Sequence, residues 1–216
     1  MSEHAFSDAE RAAVYRAIGE RRDMRHFAGG SVAPEVLGRL LAAAHQAPSV
    51  GLMQPWRFIR ISQGELRGRI QALVEQERVR TAHALGERTD AFMKLKVEGI
   101  SDCAEVLVAA LMDNREPHIF GRRTLPEMDL ASLACAIQNL WLAARAEGLG
   151  LGWVSLFDPQ ALAALLGMPA GAKPVAVLCL GPVTEFYPAP MLVMENWAEE
   201  RPLSDMLYEN QWGERP

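Results

Sequence analysis

The chain has 216 residues, of which 50% are hydrophobic and 23% charged, a balance that supports a sizeable buried core and excludes disorder as the main state. No linker or shift of composition divides it, so residues 1–216 are read as a single domain. A net charge of -5 without a basic tract speaks against nucleic acid or an anionic membrane as a general partner, and any anion site must be local.

Residues 1–20 carry Glu3, Asp8 and Glu10 and no uninterrupted apolar stretch, which argues against a signal peptide or membrane span and for a cytoplasmic protein. Ser7 and Glu10 form a capping box that predicts a helix running through Val14 and Ile18 and stopping at the basic cluster "RRDMR". Pro34 suits the first turn of a second helix with Leu37, Leu40, Leu41 and Ala44 on one face. The loop "PSVGLMQPW" then leads into "RFIRI", a strand. Ser62 and Glu65 repeat the capping pattern and predict a third helix with Leu66, Ile70, Leu73 and Val74 inward. Residues 76–100 are polar and weakly patterned around Phe92, Met93 and Leu95, and are read as a mobile helical lid.

"AEVLVAALM", residues 104–112, is apolar apart from Glu105 and predicts a central strand covered on both faces. A long, broadly apolar helix follows, marked by Leu130, Leu133, Ala134, Ile137, Leu140, Trp141 and Ala144 and ended by Gly148. "LGWVSLF" reads as a strand placing Trp153, Ser155 and Phe157 on one face. Asp158 caps a short helix with Pro159 in its first turn, and "KPVAVLCLG" is the last strand. Residues 182–216 are proline-rich, unpatterned and studded with large apolar side chains; such an arm needs a surface, and a second subunit is the expected one.

Cys103, Cys135 and Cys179 are widely spaced in apolar surroundings and read as buried reduced thiols. The histidines have no ligand spacing, so no metal is expected. Gly148, Gly150 and Gly152 follow a helix and open a strand, the reverse of a dinucleotide fingerprint, and are read as a helix cap and tight turn. Arg21, Arg22 and Arg25 are planar multi-donor groups suited to a terminal phosphate, although a solvated charge cluster would look the same. Asp23 in their midst weakens anion binding unless it has a task of its own. Ser155 is either a satisfied strand hydroxyl or a positioning group, and no G-x-S-x-G surrounds it.

"RRDMRHF" and "APSVGLMQPWRF" together resemble the FMN-binding signature of the nitroreductase superfamily, with Asp23 in place of the usual serine and Leu52 in place of the usual asparagine. Those two departures, with "KLKVEGI", "PEMDL", "AIQNLWLAARAEGLGLGWVS" and "LLGMP", make nearly the whole chain similar to the branch that breaks reduced FMN down to 5,6-dimethylbenzimidazole, the lower ligand of cobalamin. The resemblance implies an α+β fold with a mixed, mainly antiparallel central sheet flanked by helices. It also implies a homodimer with flavin at the interface, a lid over it and a C-terminal arm exchanged between subunits.

By the same resemblance, Arg21, Arg22 and Arg25 would hold the phosphate, Met24 would line the site, Ser49 and Met53 would touch the ring, and Leu95 would close over it. Asp23 and Ser155 would be the residues tied to fragmentation, the acid moving protons and the hydroxyl positioning a reacting group. Reduced FMN would be the substrate, supplied by a separate flavin reductase, and dioxygen the co-substrate. The competing readings are an NAD(P)H-dependent flavoenzyme that keeps its FMN and a flavin carrier without catalysis.

Overall fold

The computed structural model describes residues 4–214. Four strands, β1 (Trp56–Ile61), β2 (Glu105–Leu111), β3 (Gly150–Val154) and β4 (Lys173–Gly181), form one sheet in the order β1-β2-β4-β3, every neighbouring pair antiparallel. The parallel component expected of a mixed sheet is a single bridge between Asp23 and Leu151 on the outer edge of β3. Seven helices flank the sheet among the described residues: α1 (Asp8–Glu20), α2 (Pro34–His45), α3 (Gly64–Ala84), α4 (Thr89–Lys94), α5 (Met128–Ala146), α6 (Pro159–Leu165) and α7 (Met191–Met194).

Strand side chains alternate between faces, and two cores result. Leu107, Ala109, Leu111, Ala176 and Leu178 point to the face covered by Leu37, Leu40 and Ala44 of α2 and Leu133, Ile137 and Leu140 of α5. Val106, Val108, Val177 and Cys179 point to the other, against Ile70 and Val74 of α3 and Leu162 of α6. All of β2 is therefore buried, as the apolar run from Val106 implies, and its first residue, Glu105, is paired with Arg60. Each large aliphatic side chain sealed here contributes about 1.5–3 kcal/mol.

The Ser7–Glu10 capping box forms with both its bonds, and Asp158 accepts from the N–H groups of Gln160 and Ala161. Gly148 takes φ 76°, just past the end of α5. Ser62 does not cap α3: the helix starts at Gly64 behind Gln63, with no side-chain cap, and Glu65 supplies only negative charge to the first turn. Its helix runs to Ala84, so the front of the stretch read as lid is a continuation of α3. Strand β3 ends at Val154, one residue before Ser155, so the expected alternation is cut. Trp153 packs on the α2–α5 core and Phe157 belongs to the opposite one. Cys103 and Cys179 are buried, but Cys135 is exposed on the outer side of α5, a distinction that apolar sequence neighbours do not carry.

Gly150 and Gly152 stand in β3 itself rather than in a turn. A Cβ at residue 150 would meet Val183 and stand 3.1 Å from Met24 Cγ; one at residue 152 would collide with the Met24 carbonyl oxygen and stand 2.7 Å from Arg25 Nη1. The glycines open the edge of β3 so that residues 23–25 can lie against it, and Met24 N–H donates to the Leu151 carbonyl at 3.0 Å. Gly152→Ala is expected to cost about 1–3 kcal/mol as an overpacked contact, read as a lower urea midpoint. An unchanged midpoint would mean that the close approach is not what selects Gly152.

Candidate active site

Helix α1 stops at Arg21, and the next residues run extended along β3, which brings "RRDMR" to the wall of a cavity of about 780 Å³. That volume is of the size that takes a drug-sized ligand. Arg21, Arg22, Asp23 and Arg25 form one wall, Trp153 and Ser155 at the end of β3 the floor, Phe92 and Leu95 another side, and Pro188–Leu192 with Trp197 of the C-terminal segment the far side.

Asp23 is held by three hydrogen bonds. Its Oδ1 accepts from Trp153 N–H at 2.9 Å and from Arg25 Nη1 at 2.5 Å, and its Oδ2 accepts from Arg25 Nη2 at 2.7 Å. A carboxylate offers about four acceptor positions, so one remains, on Oδ2. The Asp23 side chain is 43% exposed and faces the cavity, whereas that of Arg25 is 10% exposed. Burial pushes the Asp23 carboxyl above the ordinary carboxylate pKa; the charge of Arg25, the Trp153 N–H, the Arg25 hydrogen bonds and the charge of Arg21 oppose it, in that order.

The three arginines have different surroundings. Arg25 also donates from Nη2 to the Trp153 carbonyl at 2.9 Å and from Nη1 to the Met24 carbonyl at 3.3 Å. Arg22 donates to the carbonyls of Gly19 and Arg21, each at 2.8 Å, and of Pro188 at 3.2 Å. Arg21 lies over the Trp141 ring, 4.6 Å from its centroid, and its guanidinium has no hydrogen-bond acceptor among the described residues. It is the arginine open to an anion. Trp141 is fixed in turn by donating from Nε1 to the Arg22 carbonyl at 3.1 Å.

The cavity thus brings together Arg21, Arg22, Asp23, Arg25, Leu95 and Ser155 of the residues singled out in the sequence. Met24 is next to it in the chain but 1% exposed, its side chain packed beside Gly150. Ser49 and Met53 are not in its walls. Their loop lies at the start of α5, where Val50 N–H donates to Ser132 Oγ at 3.0 Å, nine residues before Trp141 and so roughly 13 Å away along the helix. Within the loop Ser49 Oγ accepts from Gln54 N–H at 3.0 Å, Met53 is buried, and Leu52 is 80% exposed at φ 53°.

Sequence reasoning passed over Trp153 and Tyr187. Trp153 binds Asp23 and Arg25 through its peptide group, which any residue could supply. The Tyr187 hydroxyl accepts from the N–H groups of Arg25 at 3.1 Å and His26 at 3.2 Å, and lies 2.7 Å from His26 Nδ1, a contact across some 160 residues without a local signal. The C-terminal segment also packs on α4 and the turn before it: Arg88 stacks on Trp197 at 3.5 Å, and Trp197 packs on Phe92. No cluster of three or more potential metal ligands occurs among the described residues, and no helix among them is long and apolar enough to cross a membrane.

The chain belongs to the nitroreductase family, whose model matches residues 18–182. Within that family, it is 43% identical over 185 residues to a protein of Rhodospirillum rubrum, covering 84% of this chain and 87% of the relative, and 40% identical over 202 residues to one of Rhodobacter capsulatus, covering 91% and 96%. Both relatives are named 5,6-dimethylbenzimidazole synthase. Among solved structures, a BluB-like flavoprotein from Clostridium difficile superposes with a TM-score of 0.71 at 18% identity, covering 92% of this chain and 99% of that one. Nitroreductase A from Vibrio parahaemolyticus gives 0.70 at 20% identity, covering 98% and 79%. At those identities the two structures bear on the fold.

Asp23→Asn leaves the enclosed Arg25 guanidinium without its anion. It is expected to lower the stability of the ligand-free protein by about 1–2 kcal/mol, less than the roughly 3–5 kcal/mol of a fully buried pair because the carboxylate side is open to the cavity. The check is a denaturant titration; an unchanged midpoint would mean that the pair does not hold the segment.

Proposed function

We propose that the protein is a 5,6-dimethylbenzimidazole synthase, converting reduced FMN and dioxygen to 5,6-dimethylbenzimidazole and a four-carbon sugar phosphate, with the pyrimidine part of the flavin ring released as a further product. The observation that carries the reading is the carboxylate of Asp23, held by its arginine fork in the wall of the cavity with one acceptor position unfilled. The names of the relatives at 40–43% identity support it. A flavoenzyme that only passes hydride, or a flavin carrier, has no use for an acid at this place.

The residues present fit a flavin phosphate. Arg21 offers an open guanidinium at the cavity wall, and Arg22 is beside it with neutral carbonyl partners that an anion can displace. Reduced FMN supplies the electrons and the aromatic ring of the product, and dioxygen is the oxidant. Cleaving the ribityl chain and closing an imidazole both require proton transfers, for which Asp23 is the acid and base. Ser155, exposed at the cavity floor, orients a hydroxyl of the ribityl chain by donating one hydrogen bond and accepting another. Leu95 and Phe92, backed by Trp197, keep water from the reacting centre.

The working unit is a homodimer. Ser49 and Met53 do not line the Asp23 cavity of their own chain, and in this reading they reach its flavin from a second chain. Val14, Tyr15 and Ile18 of α1 and Leu203, Met206, Leu207 and Trp212 of the arm are exposed apolar surface that a partner would cover. A separate reductase delivers reduced FMN, and the protein works in the cytoplasm.

Reduced FMN supplied under air is expected to give 5,6-dimethylbenzimidazole in proportion to flavin lost, and Asp23→Asn to lower that yield by roughly 100-fold while still binding flavin. Steady oxidation of NADH or NADPH with FMN intact afterwards would overturn the reading. Arg21→Ala is expected to weaken FMN by about 1.5–3 kcal/mol and riboflavin hardly at all; equal losses by titration calorimetry would make Arg21 structural. A chain ending at residue 202 keeps the cavity walls, and is expected by sedimentation to dissociate into monomers with weaker flavin binding. A flavin-binding dimer of unchanged stability would show that the arm is not exchanged.

A further inference from the structure

Arg25 has a role that a basic signature does not suggest. Both of its terminal nitrogens are committed to the two oxygens of Asp23, and each also donates to a main-chain carbonyl, that of Met24 or of Trp153. To hold a phosphate, the fork would have to leave Asp23, placing an uncompensated carboxylate beside the arriving anion. The guanidinium is enclosed, with 10% of the side chain exposed, and it occupies space that exists because residue 152 has no Cβ. Its main chain is pinned from outside the segment by the Tyr187 hydroxyl. Arg21, four residues earlier, stands over Trp141 without an acceptor and is the better phosphate ligand.

We propose that Arg25 is a positioning residue for Asp23 and not a flavin-phosphate ligand, and that Tyr187 of the arm holds Arg25 in place. The proposal deepens the reading of Asp23 as the proton-transfer group and rests on it. A planar fork fixes the plane of the carboxylate as well as its distance, so the unfilled Oδ2 position keeps one direction while protons move. The fork also sets the acidity, because the charge of Arg25 is the largest influence opposing the upward push of burial on Asp23. The other charged or titratable groups around the pair are Arg21 and Arg22 on its own segment, Lys96 from the lid, Glu200 from the arm, the His26–Tyr187 pair behind it and the Cys179 thiol of β4.

Removing the cation leaves burial unopposed by its largest counterweight, so the Asp23 pKa rises, the pH range in which it is a carboxylate moves upward, and activity should recover as the pH is raised. Arg25→Met tests this; Arg25→Lys keeps the charge but loses the planar fork. Three quantities are read: the Asp23 titration by NMR of ligand-free protein with 13C-labelled aspartate, assigned with Asp23→Asn; the ratio of FMN to riboflavin affinity; and benzimidazole formed against pH.

Arg25→Met is expected to move the Asp23 titration upward and to shift the acid limb of the benzimidazole profile with it. Arg25→Lys should leave the titration near that of the wild type but lower turnover about 10- to 100-fold through misalignment. Both should keep the FMN-to-riboflavin ratio, which Arg21→Ala collapses. Should Arg25→Met not fold, Arg25→Lys and Tyr187→Phe decide the matter, the latter losing turnover more mildly with the same ratio. A collapsed ratio together with an unmoved titration would overturn the proposal and make Arg25 a phosphate ligand. If the wild type formed no benzimidazole but the titration still moved in Arg25→Met, the coupling of Arg25 to Asp23 would stand and the proposed reaction would fall.

Discussion

The close approach of residues 23–25 to the edge of β3 is the constraint on which the site depends. It exists because Gly150 and Gly152 present no Cβ to the incoming segment. It places the Asp23 carboxylate within reach of the Trp153 N–H and tucks the Arg25 guanidinium against the Trp153 carbonyl. From the same contact the chain turns to give Ser155 to the cavity floor, and α1 is held so that Arg21 rests on Trp141. A side chain at residue 152 would therefore disturb the acid, its arginine and the cavity wall together.

Electrostatics divides three neighbouring arginines by their partners. Arg25 is neutralised locally by Asp23, Arg22 is engaged with neutral carbonyls, and Arg21 stands over the Trp141 ring without an anionic partner among the described residues. An aspartate in a basic cluster is thereby compatible with the proposed anion binding: it is paired with the arginine turned inward and leaves Arg21 to the cavity. The C-terminal segment has a similar economy of parts, since Trp197 supports Phe92 and carries Arg88, and Tyr187 fastens the segment bearing Arg25. It thus meets α4 and the signature segment at one cavity.

Much of the fold was legible because it rests on patterns that burial writes into sequence. The run at 104–112, apolar apart from Glu105, is a strand covered on both faces, and the caps at Ser7 and Asp158 are local chemistry. Ser62 misled because a capping pattern specifies a helix start only where the preceding chain allows it, and here the helix begins beyond Gln63. The loop of Ser49 and Met53 was placed with the site by resemblance, but a single chain keeps it at the other end of α5. Gly150 and Gly152 carried a signal that went unread: two glycines at a spacing of two, leading into a strand, clear one side of it for another backbone. Tyr187 carried none, because its contact is tertiary.

An anaerobic crystal structure with reduced FMN bound tests the central claim most directly, since it shows at once what the arginines hold and where the acid points. The account expects the phosphate on Arg21, the Arg25 fork still on both oxygens of Asp23, and the remaining Oδ2 position directed at the ribityl chain. Arg25 on the phosphate, with Asp23 turned away from the flavin, would contradict it.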